Sequence, residues 1–285
     1  MTLADDTSAR GERAGFGRMG AGRISAATRD HARRLRRSAD VLLALSLADL
    51  KARYGRGRAR FIKWLLDPFA LVGVYLVFVV FLLDRPGEAP GLSLACAVVP
   101  FNVLMMTVMS SMVTVQFRRS IVLNLGFKRT LLPPSSALTE TMGFGASLLL
   151  LAIMMAVYGI APTWSILWLP VAIGITVLFA VSCAYGGVLF GVWFPELINL
   201  ARSGIRVTFF LAPGLIALSQ VPGTANELVR LNPLTGIFES YRDALLYGKA
   251  PAAWELLYPA GFALLLLLVF IPLYRREEAH LAKVV

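Results

Sequence analysis

The side chains best suited to chemistry lie in one polar segment, residues 223–253, between two long apolar runs near the end of the chain. Glu239 and Asp243 are four residues apart, so a helix would place both carboxylates on one face. Paired carboxylates can act as general acid and general base, which is a pattern of catalytic sites. Arg242 and Lys249 stand close by and could instead neutralise both carboxylates in a structural network. The sequence leaves both interpretations open.

Other kinds of reactive site find little support. The only histidines, His31 and His280, lie in the terminal segments, so no apolar run carries a histidine for hydrolysis or metal binding. The nearest approach to a phosphate-binding loop, Gly248-Lys249-Ala250, lacks the upstream glycine at the required spacing. No ionisable residue lies at the centre of an apolar run, which argues against coupled ion transport. We therefore expect this chain to hold no metal and no cofactor of its own.

Six apolar runs dominate the sequence, and hydrophobic residues make up 57% of it. A membrane-spanning helix needs about 20 mostly apolar residues, which most of these runs supply. The fifth run is the weakest, because it is short and contains Pro213. The predicted fold is therefore an all-α integral membrane protein with six transmembrane helices, at approximately residues 64–83, 91–117, 135–161, 163–194, 201–222 and 254–274.

The basic residues fall in alternate gaps between these runs. Of the 28 Lys and Arg residues, only Arg85, Arg230, Arg242 and Lys249 lie in the other gaps. Because basic loops stay in the cytoplasm, this alternation predicts that both termini are cytoplasmic. Attraction to anionic lipid explains the net charge of +11 better than a nucleic-acid partner does.

The segment before the first run has two parts. Residues 1–39 are rich in Arg, Gly, Ala and Ser, and we expect a disordered basic cytoplasmic tail. Residues 40–62 predict an amphipathic helix at the cytoplasmic membrane interface, with a simple stop signal for the first span as the alternative. The residues expected to meet lipid headgroups there are Asp49, Lys51, Arg53, Tyr54, Arg56, Arg60, Trp64 and Asp67.

Two further elements lie between spans. Residues 120–136 predict a short amphipathic helix across the cytoplasmic mouth, whose apolar side needs a partner surface. Residues 223–253 carry apolar residues at helical spacing, interrupted at Asn232-Pro233 and ended by Gly248, which predicts two short helices in a re-entrant outer hairpin. The residues expected to shape this hairpin are Asn232, Pro233, Phe238, Glu239, Tyr241, Arg242 and Gly248.

Six aromatic residues lie deeper in the spans than the usual interfacial belt. Aromatic faces stack on the C–H surfaces of sugars, so these side chains could line a path for a glycan. Plain packing is the commoner role for any one of them. The residues are Tyr75, Phe78, Phe101, Phe144, Tyr185 and Phe209.

Several short motifs occur in a recognisable order. They are Asp49-Leu50-Lys51-Ala52-Arg53-Tyr54 with Trp64-Leu65-Leu66-Asp67-Pro68, Pro133-Pro134, Asn232-Pro233-Leu234-Thr235, the run from Glu239 to Gly248, and Tyr274-Arg275-Arg276-Glu277-Glu278. With six spans, they make the chain resemble the membrane subunits of type-2 ATP-binding-cassette exporters of O-antigen polysaccharides and teichoic acids. The resemblance runs from about Val41 to the C-terminus.

This resemblance implies a transport subunit rather than an enzyme, in a bacterial inner or plasma membrane. Two copies would enclose a channel for a lipid-linked polysaccharide, of the O-antigen, teichoic acid or cell-wall galactan type. Two copies of a separate ATPase subunit would bind ATP and magnesium, and the outer hairpin would be the gate. The residues implied to couple to the ATPase are Arg118, Arg119, Ile121, Leu123, Leu125, Phe127, Lys128 and Arg129.

Two other functions stay open at this point. A type-2 exporter of a drug or small lipid would share the same spans. A membrane enzyme of glycan assembly could use Glu239 and Asp243 for catalysis. We expect no deep pocket at those carboxylates, which disfavours the enzyme.

Overall fold

The structure is a computed structural model, and it describes residues 36–52, 66, 69–77, 89–118 and 129–281. Within these ranges every regular element is a helix, as the all-α prediction requires. The chain divides into two units, Met1–Leu45 and Ser46–Val285. In the first unit the described residues, 36–45, are helical. The site lies in the second unit.

The helices are named here in chain order. Residues 36–52 form α1 and residues 69–77 are helical and are called α2. The others are α3 (Pro90–Phe117), α4 (Leu132–Val157), α5 (Leu169–Trp193), α6 (Ile198–Leu211), α7 (Gly223–Arg230), α8 (Pro233–Leu245) and α9 (Ala253–Leu281). Short 3₁₀ turns occupy Arg129–Leu131, Trp164–Trp168, Pro195–Leu197 and Leu218–Gln220.

Four helical segments are long and apolar enough to cross a membrane: Pro90–Phe117, Arg129–Val157, Trp164–Trp193 and Ala253–Glu278. They correspond to the second, third, fourth and sixth predicted spans. The chain is thus a multi-pass membrane protein. Half of the first predicted span, residues 64–65, 67–68 and 78–83, lies outside the described residues.

The fifth predicted span is wrong as one continuous helix. Helix α6 begins at Ile198 and ends at Leu211 after 14 residues, about 21 Å at 1.5 Å per residue, whereas a hydrocarbon core is about 30 Å thick. Pro213 has no N–H and disfavours helical geometry in the residue before it. Ala212 is accordingly extended, with φ −94° and ψ 158°. The remainder of the apolar run, to residue 222, consists of turns.

Helix α1 also differs from its prediction. Residues 36–39, assigned to the disordered tail, are helical, because Arg36, Arg37 and Ala39 are good helix formers. The partly or fully buried positions along α1 include 41, 42, 45, 46, 49 and 50, which is the spacing of one helix face. Residues 1–35 and 53–62 of the predicted tail and interfacial helix lie outside the described residues.

Helix α3 lies at the centre of the second unit and packs against α4, α5 and α8. Two glycines of α5 allow its backbone to approach α3 closely. A Cβ atom on Gly187 would overlap the Ser111 side chain, and one on Gly191 would overlap the Met112 carbonyl. Small residues four positions apart are a common means of close helix packing in membranes.

Helix α9 closes the other side of α5. The Ser182 hydroxyl donates to the Ala263 carbonyl at 2.9 Å, and a Cβ on Gly186 would lie 2.8 Å from Phe270. Helix α9 also packs on α8, where a Cβ on Gly236 would lie 2.8 Å from the Glu255 carbonyl. Helix α8 is thus enclosed by α3, α5 and α9.

Candidate functional site

Helix α8 is buried along its length and is fixed by local sequence at both ends. The Asn232 side chain caps its start by accepting from the Leu234 N–H at 3.0 Å. Pro233 occupies the first turn, where its missing N–H costs nothing. Gly248 follows the helix with φ +63°, a conformation that glycine adopts without strain.

Arg242 is the largest of the fully buried side chains, with 0% exposure. Its guanidinium donates to Glu239 Oε1 at 2.6 Å, to the Ser93 carbonyl at 3.2 Å and to the Gly214 carbonyl at 3.2 Å. These contacts join α8 to the first turn of α3 and to the chain that follows α6. Arg242 therefore holds three separate parts of the fold together.

Glu239 is held in this arrangement through one of its two carboxylate oxygens. Its Oε1 accepts from Arg242 and also from the Leu218 N–H at 3.0 Å. One oxygen of this buried carboxylate thus has both a guanidinium and a backbone N–H as donors. This geometry favours the structural interpretation of Glu239 over the catalytic one.

Asp243 pairs with Lys249 at 3.2 Å, although Lys249 is 62% exposed. Burial raises the pKa of Asp243 above its ordinary value, and the hydrogen bond and charge of Lys249 offset this only in part. For Lys249, burial lowers the pKa, but the hydrogen bond and charge of Asp243 outweigh it and leave the pKa raised. Both residues suggested for catalysis are thus held in ion pairs.

An open cavity borders these carboxylates, and the expectation that no deep pocket lies there stays a prediction. A cavity of about 570 Å³ is lined by Glu239, Asp243, Lys249, Trp254 and Glu255, among others. It lies between the 3₁₀ turn Leu218–Gln220 and the start of α9. Its walls combine carboxylates, a cation and an aromatic ring.

Most of the predicted path aromatics pack in the interior of the subunit. Phe209 stacks on Tyr75 with ring centroids 5.3 Å apart and lies 5.0 Å from Phe101 and 5.9 Å from Phe238. Phe101, Phe209 and Phe238 are all buried. This arrangement favours the packing interpretation that the sequence left open.

The other two described path residues lie elsewhere. Phe144 is buried and packs edge-on against Tyr241 at 6.4 Å, whose hydroxyl lies 3.2 Å from Thr176 Oγ1. Tyr185 packs edge-on against Tyr274 at 5.4 Å. The five described path residues thus do not form one continuous aromatic surface.

At the opposite end of α3, two predicted sites meet. Arg118, expected to couple to an ATPase, is buried and forms an ion pair with Asp49, expected to meet lipid headgroups. Arg118 also donates to Ser135 Oγ at 2.5 Å, and Ser46 Oγ donates to the Ser135 carbonyl at 3.2 Å. Sequence analysis did not identify Ser46 or Ser135 as contact residues, because no motif around them distinguishes them from other serines. These contacts join α1, α3 and α4.

Arg129 connects the start of α4 to the end of α9. The Tyr274 hydroxyl donates to the Arg129 carbonyl at 2.8 Å, and Arg129 Nη1 donates to the Glu278 carbonyl at 3.5 Å. Lys51 is exposed on α1. The remaining predicted site residues lie outside the described residues: Arg53, Tyr54, Arg56, Arg60, Trp64, Asp67, Phe78, Arg119, Ile121, Leu123, Leu125, Phe127 and Lys128.

Known proteins resemble this chain over most of its length. The O-antigen export system permease protein RfbA of Myxococcus xanthus is 26% identical over 243 residues, covering 84% of this chain and 93% of that protein. The chain is similar to polysaccharide-export permeases. An RfbA of Klebsiella pneumoniae is 23% identical over 251 residues, covering 86% and 95%. The polysialic acid transport protein KpsM of Escherichia coli is 25% identical, covering 84% and 94%.

These relatives confirm the resemblance to type-2 exporter permeases that the sequence motifs carry. No protein-family model matches the chain. The relatives are transport permeases, which supports a transporter rather than an enzyme. The alignments cover 84–86% of this chain and 93–95% of these relatives.

Proposed function

We propose that this chain is the channel-forming permease subunit of an ATP-driven exporter that moves a lipid-linked polysaccharide to the outer side of the membrane. The observation that carries this proposal is the similarity to polysaccharide-export permeases along 84–86% of the chain. The four apolar helices agree with it. Because the sequence has no phosphate-binding loop, ATP would be bound with magnesium by a separate subunit.

The assembly would contain two copies of this chain and two copies of the ATPase. Both termini would face the cytoplasm of a bacterial inner or plasma membrane, and residues 40–62 would rest on anionic lipid. The cargo would be an O-antigen, teichoic acid or cell-wall galactan. It would load from the inner leaflet near Asp49–Asp67.

Movement of the ATPase would reach the spans through residues 118–129. Two contacts at the ends of this segment support that role. Arg118 pairs with Asp49 of α1, and the Arg129 carbonyl accepts from Tyr274 of α9. A displacement of this segment would therefore act on helices at both ends, as expected for packed elements that shift together.

Helices α7 and α8 would form the outer gate. The Arg242 contacts tie α8 to α3 and to the chain after α6, so α8 would move only with those elements. None of the residues of α7 is buried. The lighter packing of α7 makes it the more mobile half of the proposed gate.

Co-purification with the neighbouring ATPase tests this proposal. We expect the two chains to elute as one complex, whose ATPase activity rises when lipid-linked glycan is added. A drug or a short-chain lipid should produce no such rise. A partner ATPase with its phosphate-binding lysine changed to alanine is the matched control. The proposal is contradicted if no ATPase co-purifies and ATP depletion leaves export unchanged.

A further inference from the structure

The open cavity of about 570 Å³ is bounded by the 3₁₀ turn Leu218–Gln220, helices α7 and α8, and the start of α9. Its volume is within the range of roughly 300–1,000 Å³ usual for sites that bind small molecules. The alternation of basic gaps predicts that α7 and α8 lie on the outer side of the membrane. The cavity is therefore placed where a molecule leaving the membrane would pass.

An aromatic ring forms part of the cavity wall. Trp254, the second residue of α9, lines the cavity and is half-buried. The guanidinium carbon of Arg230, at the end of α7, lies 5.3 Å from the centroid of this ring. A cation over the face of an indole holds the ring in place, and a surface that is already held loses little entropy when a ligand binds. Trp254 is thus prepared to stack on the C–H face of a sugar.

Two oxygen atoms of the lining residues can still accept hydrogen bonds. Glu239 Oε1 takes both hydrogen bonds of that carboxylate, and Oε2 takes none within the described part of the chain. Asn226 Nδ2 donates to the Leu218 carbonyl at 2.9 Å and to the Val221 carbonyl at 3.4 Å, which orients the amide and leaves Oδ1 without a donor among the described residues. Neither oxygen is fully buried. Such acceptors match a ligand that is rich in O–H donors.

Carboxylates and cations around the cavity are equal in number. The three carboxylates are those of Glu239, Asp243 and Glu255, and the three cations are Arg230, Lys249 and the adjoining Arg242. Two pairs are in contact, since Arg242 donates to Glu239 at 2.6 Å and Lys249 lies 3.2 Å from Asp243. A phosphate or ammonium group would bring an unbalanced charge into a partly buried site, which is costly. This balance favours an uncharged ligand.

We propose that this cavity binds uncharged sugar units of the exported polysaccharide as they leave the membrane. This inference rests on the proposed function and names an outer site for its substrate. Trp254 stacks on the C–H face of one sugar ring, and Glu239 and Asn226 accept from its hydroxyl groups. Lys249, which is 62% exposed, donates to a ring or glycosidic oxygen. Because the cavity is open, a long glycan can lie across it, and sugar units held there would oppose backward sliding.

Binding of the host's own glycan tests this site. The polysaccharide is cut from its lipid by mild acid, shortened to oligosaccharides and labelled at the reducing end with 2-aminobenzamide. Fluorescence anisotropy then follows its binding to the full chain in phosphatidylcholine nanodiscs. We expect Trp254→Ala to raise the Kd about tenfold, the scale of one lost aromatic contact. The matched control Trp164→Ala removes an 87% exposed tryptophan outside the cavity and should leave the Kd unchanged.

Ser219→Leu is a second variant that leaves Trp254 in place. Ser219 is exposed and lines the cavity, so a larger apolar side chain would occupy the cavity without removing a contact from the core. We expect this variant to raise the Kd at least as much as Trp254→Ala does. Each variant must elute as a single species on size-exclusion chromatography before its Kd is compared.

Competitors identify the chemical group that the cavity recognises. Unlabelled oligosaccharide should displace the probe, whereas phosphatidylglycerol and inorganic phosphate should not. The inference is overturned by equal Kd values for the wild type and both cavity variants, by the absence of saturable binding to the wild type, or by displacement with phosphate. The assay uses neither ATP nor transport. Absent binding with intact glycan-stimulated ATPase activity contradicts only this site, whereas Trp254-dependent binding without a co-purifying ATPase contradicts only the proposed function.

Discussion

The Arg242→Leu variant should lose about 3–5 kcal/mol of stability, the usual loss when one member of a buried ion pair is removed. Glu239, at 6% exposure, would lose the guanidinium that donates to its Oε1. The Ser93 and Gly214 carbonyls would lose their donor as well. Thermal unfolding in detergent, followed by size-exclusion chromatography of heated samples, measures the change.

Two further variants make this result specific. Arg230→Ala removes an exposed arginine of the same polar segment, whose contact is with the Trp254 ring at 5.3 Å, so it should cost at most about 1 kcal/mol. Adding Glu239→Gln to Arg242→Leu should recover part of the loss, because an amide needs no guanidinium partner and can still accept from the Leu218 N–H. An Arg242→Leu variant as stable as Arg230→Ala would show that the network contributes nothing.

The Gly191→Ala variant should be destabilised by about 1–3 kcal/mol, the usual penalty for overpacking an interior. The added Cβ would overlap the Met112 carbonyl. Since that atom belongs to the backbone of α3, whole helices must separate to make room. The expected result is a lower melting temperature and a larger share of aggregated protein on chromatography.

Gly174→Ala is the matched control, because Gly174 lies on the same helix with nothing within 4 Å of its added Cβ. Alanine favours helix over glycine by about 1 kcal/mol. The two substitutions should therefore have opposite signs. A melting temperature raised equally by both would show that α3 and α5 do not approach as closely as described.

The long helices were predictable because each contains an apolar run of spanning length, which composition alone reveals. The fifth run was predicted wrongly as a continuous span, although Pro213 had marked it as the weakest of the six. In the structure it extends Ala212 and ends α6 at Leu211. The backbone restriction imposed by Pro213 outweighed the hydrophobicity of the run as a whole.

The role of Arg242 could be only half predicted. Its neighbours Glu239 and Asp243 suggested a structural network, but the sequence also allowed catalysis. The structural interpretation depends on the hydrogen bond from Arg242 to the backbone carbonyl of Ser93. Ser93 is distant in sequence, and a contact with its backbone leaves no pattern of side chains that could predict it. The pairing of Arg118 with Asp49 was not predictable either, because the two residues are distant in sequence. The sequence analysis had given them separate roles.

Export of the glycan in living cells is the most direct test of the proposed function. The chain is depleted in its host, and newly made glycan outside the cell is labelled with a membrane-impermeant hydrazide after mild periodate oxidation. The account predicts that glycan continues to be made but stays inside and inaccessible until the wild-type chain is restored. Glycan that reaches the outer surface at an unchanged rate in depleted cells would contradict it.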